Sequence, residues 1–301
     1  MRAVEYGIPT DKEGIQLRLG VAHGFFRDEG LDLSLKVVFG GPEIAAAYDA
    51  GDLPIGELGS PPATTALSKG ARFRIVGSGI RRRALEYFVA RPSISSWEDL
   101  RGATAAALSV GSCSYWFMRE VLSRHGLDPD KDLNVIGLGR RYPLVTDLFA
   151  ADEVQAAVLS EPNVSIGEDL GVFRVMQSLT DPAYCPGMQW SVIVAHEKTI
   201  ADEPELVCAV LRGCVRSHRY AVANPEELAR FGGDYFGIPS STMAKSIARE
   251  GTNLHTDCEI DLEGLRQAID LQVRLKAFAV ALRVEDIVDL RFLPVSATAE
   301  A

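Results

Sequence analysis

Strand-like and helix-like segments alternate through the first eighty residues of this chain, and the same order returns about a hundred residues later. Residues 2–8 read as a strand, and Ile15 to Phe26 as a helix closing at Gly30. Leu31-Asp32-Leu33-Ser34-Leu35-Lys36-Val37-Val38 then alternates with period two, the mark of a half-buried strand. Pro42 suits the first position of a helix that runs through Ala45-Ala46-Ala47 and stops near Gly51. A strand at about 53–58, a helix from Pro61 to Gly70 and a strand at about 73–79 complete the series. Such alternation predicts a parallel sheet with right-handed crossovers.

The echo is specific in its order. Gly30-Leu31-Asp32 is answered by Gly126-Leu127-Asp128, Ala50-Gly51-Asp52 by Ala150-Ala151-Asp152, and Leu58-Gly59-Ser60-Pro61-Pro62 by Leu159-Ser160-Glu161-Pro162-Asn163. Two similar α/β lobes are therefore expected, and sheets of this kind bind ligands outside the carboxyl ends of their strands. After residue 190 the grammar changes to a short apolar strand, Ser191 to Ala195, and a long helix from Pro204 to about Asn224. Further helices are expected at about 225–236, 240–250 and 261–278, the last returning to brace the first lobe.

A length of 301 residues, 47% of them hydrophobic, suffices for two compact lobes. The formal net charge of -10 argues against nucleic acid, whose phosphates need a basic face, and leaves small anions open. No apolar run approaches the ~20 residues of a membrane-spanning helix. The segment after Met1 lacks an apolar signal-peptide core, which suits a cytoplasmic chain or a trimmed one. The five cysteines and the histidines at 23, 125, 196, 218 and 255 show no metal-ligand spacing, so neither metal nor cofactor is expected. Cys208 and Cys214 fall in a helical apolar pattern and read as buried small hydrophobes.

Three ordered stretches carry a family resemblance: residues 23–70, "HGFFRDEGLDLSLKVVFGGPEIAAAYDAGDLPIGELGSPPATTALSKG"; residues 97–139, "WEDLRGATAAALSVGSCSYWFMREVLSRHGLDPDKDLNVIGLG"; and residues 147–165, "DLFAADEVQAAVLSEPNVS". Together they resemble the nitrate/sulfonate/taurine-type substrate-binding proteins of ABC transporters, over roughly residues 5 to 280. The resemblance implies a periplasmic-binding-protein type II fold, with two α/β lobes joined by crossover strands near 88–92 and 188–195. Residues 1–90 plus 193–301 would form one lobe, and 91–192 the other. It also implies a periplasmic location, importer membrane subunits as partners and a monomer. The same superfamily includes thiamine-pyrimidine binding and synthesis proteins and an aryl-sulfinate desulfinase.

The chemistry available to such a cleft can be read from the residues. Ser112-Cys113-Ser114 would open a helix, where N–H groups and the helix dipole favour a negative ligand, and Gly111 would allow close approach. Gly59-Ser60 repeats the arrangement in the other half, so two helix ends are expected to clamp one small organic anion. Arg81 and Arg82, with Arg83, follow a strand and would bring a guanidinium to the cleft, and Arg141 occupies the equivalent loop of the second lobe. Glu161 would answer an amine or ring N–H, and Tyr6 and Trp190 would flank an aromatic or alkyl tail. Cys113 carries the competing reading, since a thiol at a helix N-terminus is a candidate nucleophile for an intracellular desulfinase- or decarboxylase-like enzyme.

Overall fold

In the computed structural model, residues 1–11, 14–80, 86–179, 187–251, 254–278 and 282–293 are described. They form two five-stranded sheets. The first contains β1 (Arg2–Ile8), β2 (Leu31–Val37), β3 (Ile55–Gly59) and β4 (Phe73–Ser78). The second contains β5 (Glu86–Ala90), β6 (Thr104–Ala107), β7 (Asn134–Gly137), β8 (Ala156–Ser160) and β9 (Arg174–Ser178). The fifth strand of the first sheet, β10 (Ser191–His196), returns from the second lobe.

Strand order is β2-β1-β3-β10-β4 in one sheet and β7-β6-β8-β5-β9 in the other. These are the same topology. In each, two parallel pairings share a central strand, and the penultimate strand runs antiparallel to both its neighbours. The antiparallel strand is always the one that has crossed from the other lobe. This duplication is the physical content of the hundred-residue echo. The Leu58 and Leu159 motifs both sit where a central strand gives way to a helix.

The lobe change comes earlier than residue 90. β5 pairs with β8 and β9, so the first crossover lies before Glu86. β5, β8 and the first five residues of β10 are buried along their length. That is the signature of central strands covered on both faces. Val192, Ile193 and Val194 are fully buried, each worth roughly 1.5–3 kcal/mol relative to exposure.

The helices of the first half are α1 (Ile15–Ala22), α2 (Phe25–Asp28), α3 (Gly41–Ala50), α4 (Ser60–Leu67), α5 (Cys113–Arg124), α6 (Val145–Ala150) and α7 (Asn163–Asp169). The single helix expected over 15–26 is two, because Gly24 adopts φ +80 and turns the chain between them. The remainder are α8 (Glu197–Asp202), α9 (Pro204–Ala223), α10 (Pro225–Phe236), α11 (Ser240–Glu250), α12 (Leu262–Arg274) and α13 (Val284–Ile287). Along α9, Leu206, Val207, Val210, Leu211, Cys214 and Val215 are buried at helical spacing against the first sheet. Cys208 is half-buried.

Two late helices touch both lobes. α12 places Leu265 and Ile269 in the first-lobe core and Ala268 and Leu271 in the second-lobe core. Its Gln272 accepts from the Thr64 hydroxyl at 2.5 Å and donates to the Pro61 carbonyl at 2.8 Å. α11 is fixed to the first lobe by Met243, which packs with Ile15, Leu19 and Leu228, and reaches α7 of the second. Among the described residues no helix is long and apolar enough to cross a membrane.

Candidate functional site

Between the lobes lies a cavity of about 40 Å³. That is room for about three water-sized groups. The first lobe contributes Pro9, Gly41, Glu57, Leu58, Gly59 and Pro62 to its wall, and the second Glu86, Leu108, Ser112, Cys113 and Ser114. Trp190 and Ser191 close it where the chain crosses back. A larger chamber of about 470 Å³ adjoins it through Pro62. Ala45, Ala66, Gly111 and Trp116 line that chamber, so Gly111 belongs to the outer space rather than the inner one.

The start of α5 is built by hydroxyls. Ser112 accepts the N–H of Tyr115 at 3.4 Å and donates to the Ser109 carbonyl at 2.7 Å. Ser114 accepts the N–H of Leu108 at 3.0 Å, and the two hydroxyls lie 3.0 Å apart. Their side chains thus hold the end of β6 against the helix, and the N–H of Ser114 has no partner among the described residues. Such caps satisfy only some of the four orphan N–H groups at a helix start.

The matching end of α4 does something else. The Ser60 hydroxyl donates to the Gln189 carbonyl at 2.5 Å, and its N–H to the Trp190 carbonyl at 2.8 Å. Pro61 and Pro62 have no N–H to offer. Ser60 therefore ties α4 to the return crossover and is not among the residues that line the cavity, unlike Ser112 at the start of α5. Gly59 does reach the wall, and its role is steric. A Cβ there would stand 2.2 Å from the Cys113 sulfur across the cleft, so the lobes meet at that point.

The other expected site residues divide clearly. Trp190 lines the cavity, with its ring 5.0 Å from that of Phe117. Tyr6 is fully buried in the first-lobe core and is not among the residues that line this cavity. Arg141 pairs with Glu153 at 2.5 Å on the exposed surface and is not among the residues that line the cavity. Arg81 and Arg82 lie outside the described residues. Glu161 is fully buried, but its carboxylate accepts from Arg249 at 3.0 Å and from the Ser165 N–H at 3.1 Å.

Arg249 makes Glu161 part of a bridge between lobes. Along α11, Arg249 also reaches Glu168 at 2.5 Å, Lys245 reaches Glu168 at 3.0 Å and Asp169 at 2.9 Å, and the Thr242 hydroxyl donates to Asp169 at 2.7 Å. Burial alone would push the Glu168 carboxyl up, but its bonds to Lys245 and Arg249 outweigh that and hold it below the usual range. Asp169 is held low by Lys245 and Thr242. Both folded values lie below the unfolded ones, so this stabilisation is present above the ordinary carboxylate range and is lost as pH falls through the lowered values. Lys245→Ala is therefore expected to melt below wild type at neutral pH, with the gap shrinking below about pH 4. A gap that stays constant across an acid titration of melting temperature would contradict the bridge.

Glu57 and Glu86 are cavity residues that the sequence reading passed over. Each is the lone charge in an otherwise apolar strand, Ile55-Gly56-Glu57-Leu58-Gly59 and Glu86-Tyr87-Phe88-Val89-Ala90. That pattern was a usable signal, because a buried carboxylate is costly unless something answers it.

Residues 15–228 match the family described as NMT1/THI5 like. YtlA of Bacillus subtilis, named as a binding protein, is 24% identical over 165 residues, covering 54% of this chain and 49% of that protein. The taurine-binding periplasmic protein of Escherichia coli is 24% identical over 202 residues, 67% of this chain and 61% of the relative. The chain thus spans about half to three fifths of these curated relatives. The alkanesulfonate-binding protein SsuA of Xanthomonas axonopodis, solved with MOPS, superposes with a TM-score of 0.80 at 17% identity, covering 96% of this chain and 98% of that one. The shared lobes and crossovers are the periplasmic-binding-protein fold, and the chain belongs to the NMT1/THI5-like family.

Proposed function

We propose that this protein is a solute-binding protein that closes on a small anionic organic ligand, a sulfonate, carboxylate or relative, for delivery to an ABC importer. The observation that carries the reading is the cavity between the lobes, walled by both and opened on one side by the start of α5. Closure there is a hinge motion in which a ligand touching both lobes biases the closed form by its differential affinity. The relatives named for taurine and alkanesulfonate binding support the chemical class. Importer membrane subunits are then the partners, the periplasm is the location, and the chain acts as a monomer that binds no nucleic acid.

Cys113 supports a second reading, because its thiol lines the cavity at the first position of α5. No histidine joins it among the described lining residues. A thermal-shift panel of sulfonates, sulfinates, taurine, nitrate, aryl carboxylates and thiamine-pyrimidine precursors separates the two. At ~100 times Kd a ligand adds about 2.7 kcal/mol, a shift of several degrees. A binder returns its hit intact, and Cys113→Ser leaves the shift nearly unaltered. A hit recovered chemically changed, with turnover abolished in Cys113→Ser, would replace the transport reading with the enzyme.

A further inference from the structure

The inner cavity and the outer chamber differ in what they can hold. About 40 Å³ admits one acid group, whereas the roughly 470 Å³ beyond Pro62 has room for the body of a ligand. Two helices carry the chamber away from the cavity. α3 lines it with Pro42, Ala45 and Asp49, and α4 with the turn after it lines it with Pro62, Ala66 and Lys69. Each set recurs every three or four residues, the spacing of one helix face. Each therefore ends about two turns from the cavity, roughly 10 Å at 1.5 Å per residue. The intervening side chains of both helices are apolar apart from Thr65, and Trp116 supplies a wall from the second lobe. At the far end Asp49 accepts the backbone N–H of Arg72 at 2.8 Å and lies 3.5 Å from its guanidinium. Lys69 is exposed and has no ion pair among the described residues. With Asp49 answered by Arg72, the Lys69 ammonium is the charge left over at that end.

We infer that the ligand is an extended molecule with an acid group at each end. One acid occupies the inner cavity, an apolar body lies over Ala45 and Ala66 in the chamber, and the second acid meets the Lys69 ammonium. This rests on the solute-binding reading and adds to it a length and a second charge. A short acid leaves the chamber unfilled, and a long acid with one head leaves Lys69 unanswered. The body also touches both lobes, α3 and α4 on one side and Trp116 on the other, so filling the chamber favours the closed form.

Calorimetry on the full chain at neutral pH with nonanedioate, nonanoate and butanedioate tests the second charge and the length separately. Nonanedioate is expected to bind about fivefold tighter than nonanoate, the upper end for an ion pair at an exposed lysine. It should bind at least about tenfold tighter than butanedioate, which has the same two charges and less apolar surface to bury. Lys69→Met should bring nonanedioate level with nonanoate, and Lys69→Arg should keep the preference. Ala66→Phe, which fills the chamber, should weaken nonanedioate by about tenfold, the gain expected from its chain. Should Ala66→Phe fail to fold, the variants at the exposed Lys69 still decide. Equal affinity for nonanedioate and nonanoate in wild type would overturn the second acid and leave the solute-binding reading standing. Butanedioate binding as tightly as nonanedioate would overturn the role of the chamber. Failure of all three to bind would overturn the inference, and an intact hit in the thermal-shift panel would then keep the solute-binding reading alone.

Discussion

Gly59→Ala is expected to hold the lobes apart and weaken ligand binding by about tenfold or more, the cost of losing one well-made closure contact. Gly59 has ordinary extended backbone angles, φ -66 and ψ 145, so alanine is compatible with the chain itself. The obstacle lies across the cleft, where the new Cβ would stand 2.2 Å from the Cys113 sulfur. Cys113 has one rotatable side-chain bond and is 9% exposed within the second-lobe core, which leaves separation of the lobes as the main relief. Small-angle scattering should report a larger radius of gyration than the roughly 19 Å of a compact chain this long. Cys113→Ala in the same background should recover closure and most of the affinity. An unchanged radius and affinity in the single variant would show that the lobes do not close on this contact.

Arg249→Ala is expected to destabilise the protein by about 3 kcal/mol, the lower end for breaking a buried ion pair, because Arg249 itself retains some exposure. Glu161 is fully buried, and without Arg249 the Ser165 N–H is the one hydrogen bond left to it among the described residues. The melting temperature should fall by several degrees. Glu161→Gln combined with Arg249→Met should be milder than Arg249→Ala alone, since no buried charge is then stranded. A double variant as unstable as the single one would mean that Arg249 acts through packing over Tyr87, whose ring centre lies 5.8 Å from its guanidinium carbon. Because this pair joins α11 of one lobe to the turn before α7 of the other, Arg249→Ala should also weaken ligand binding if the bridged form is the one that binds.

The order of strands and helices and the doubled lobe were legible in the amino-acid sequence. Period-two alternation, helical spacing and the punctuation by Gly and Pro are local properties, and local properties survive in a one-dimensional reading. The start of α5 was legible for the same reason, as Ser112, Cys113 and Ser114 act on groups within a few residues of themselves. The fates of the other polar residues were decided in three dimensions. Ser60 and Ser112 look alike in sequence, yet Ser60 is claimed by carbonyls at Gln189 and Trp190. Glu161 is claimed by Arg249, a helix of the other lobe, and Tyr6 by the core beneath its own sheet. Glu57 and Glu86 stand in separate strands, and only the approach of two lobes makes them neighbours of one cavity. Secondary structure follows from each residue's near neighbours along the chain, whereas the charge and shape of a cleft are set by residues far apart in sequence.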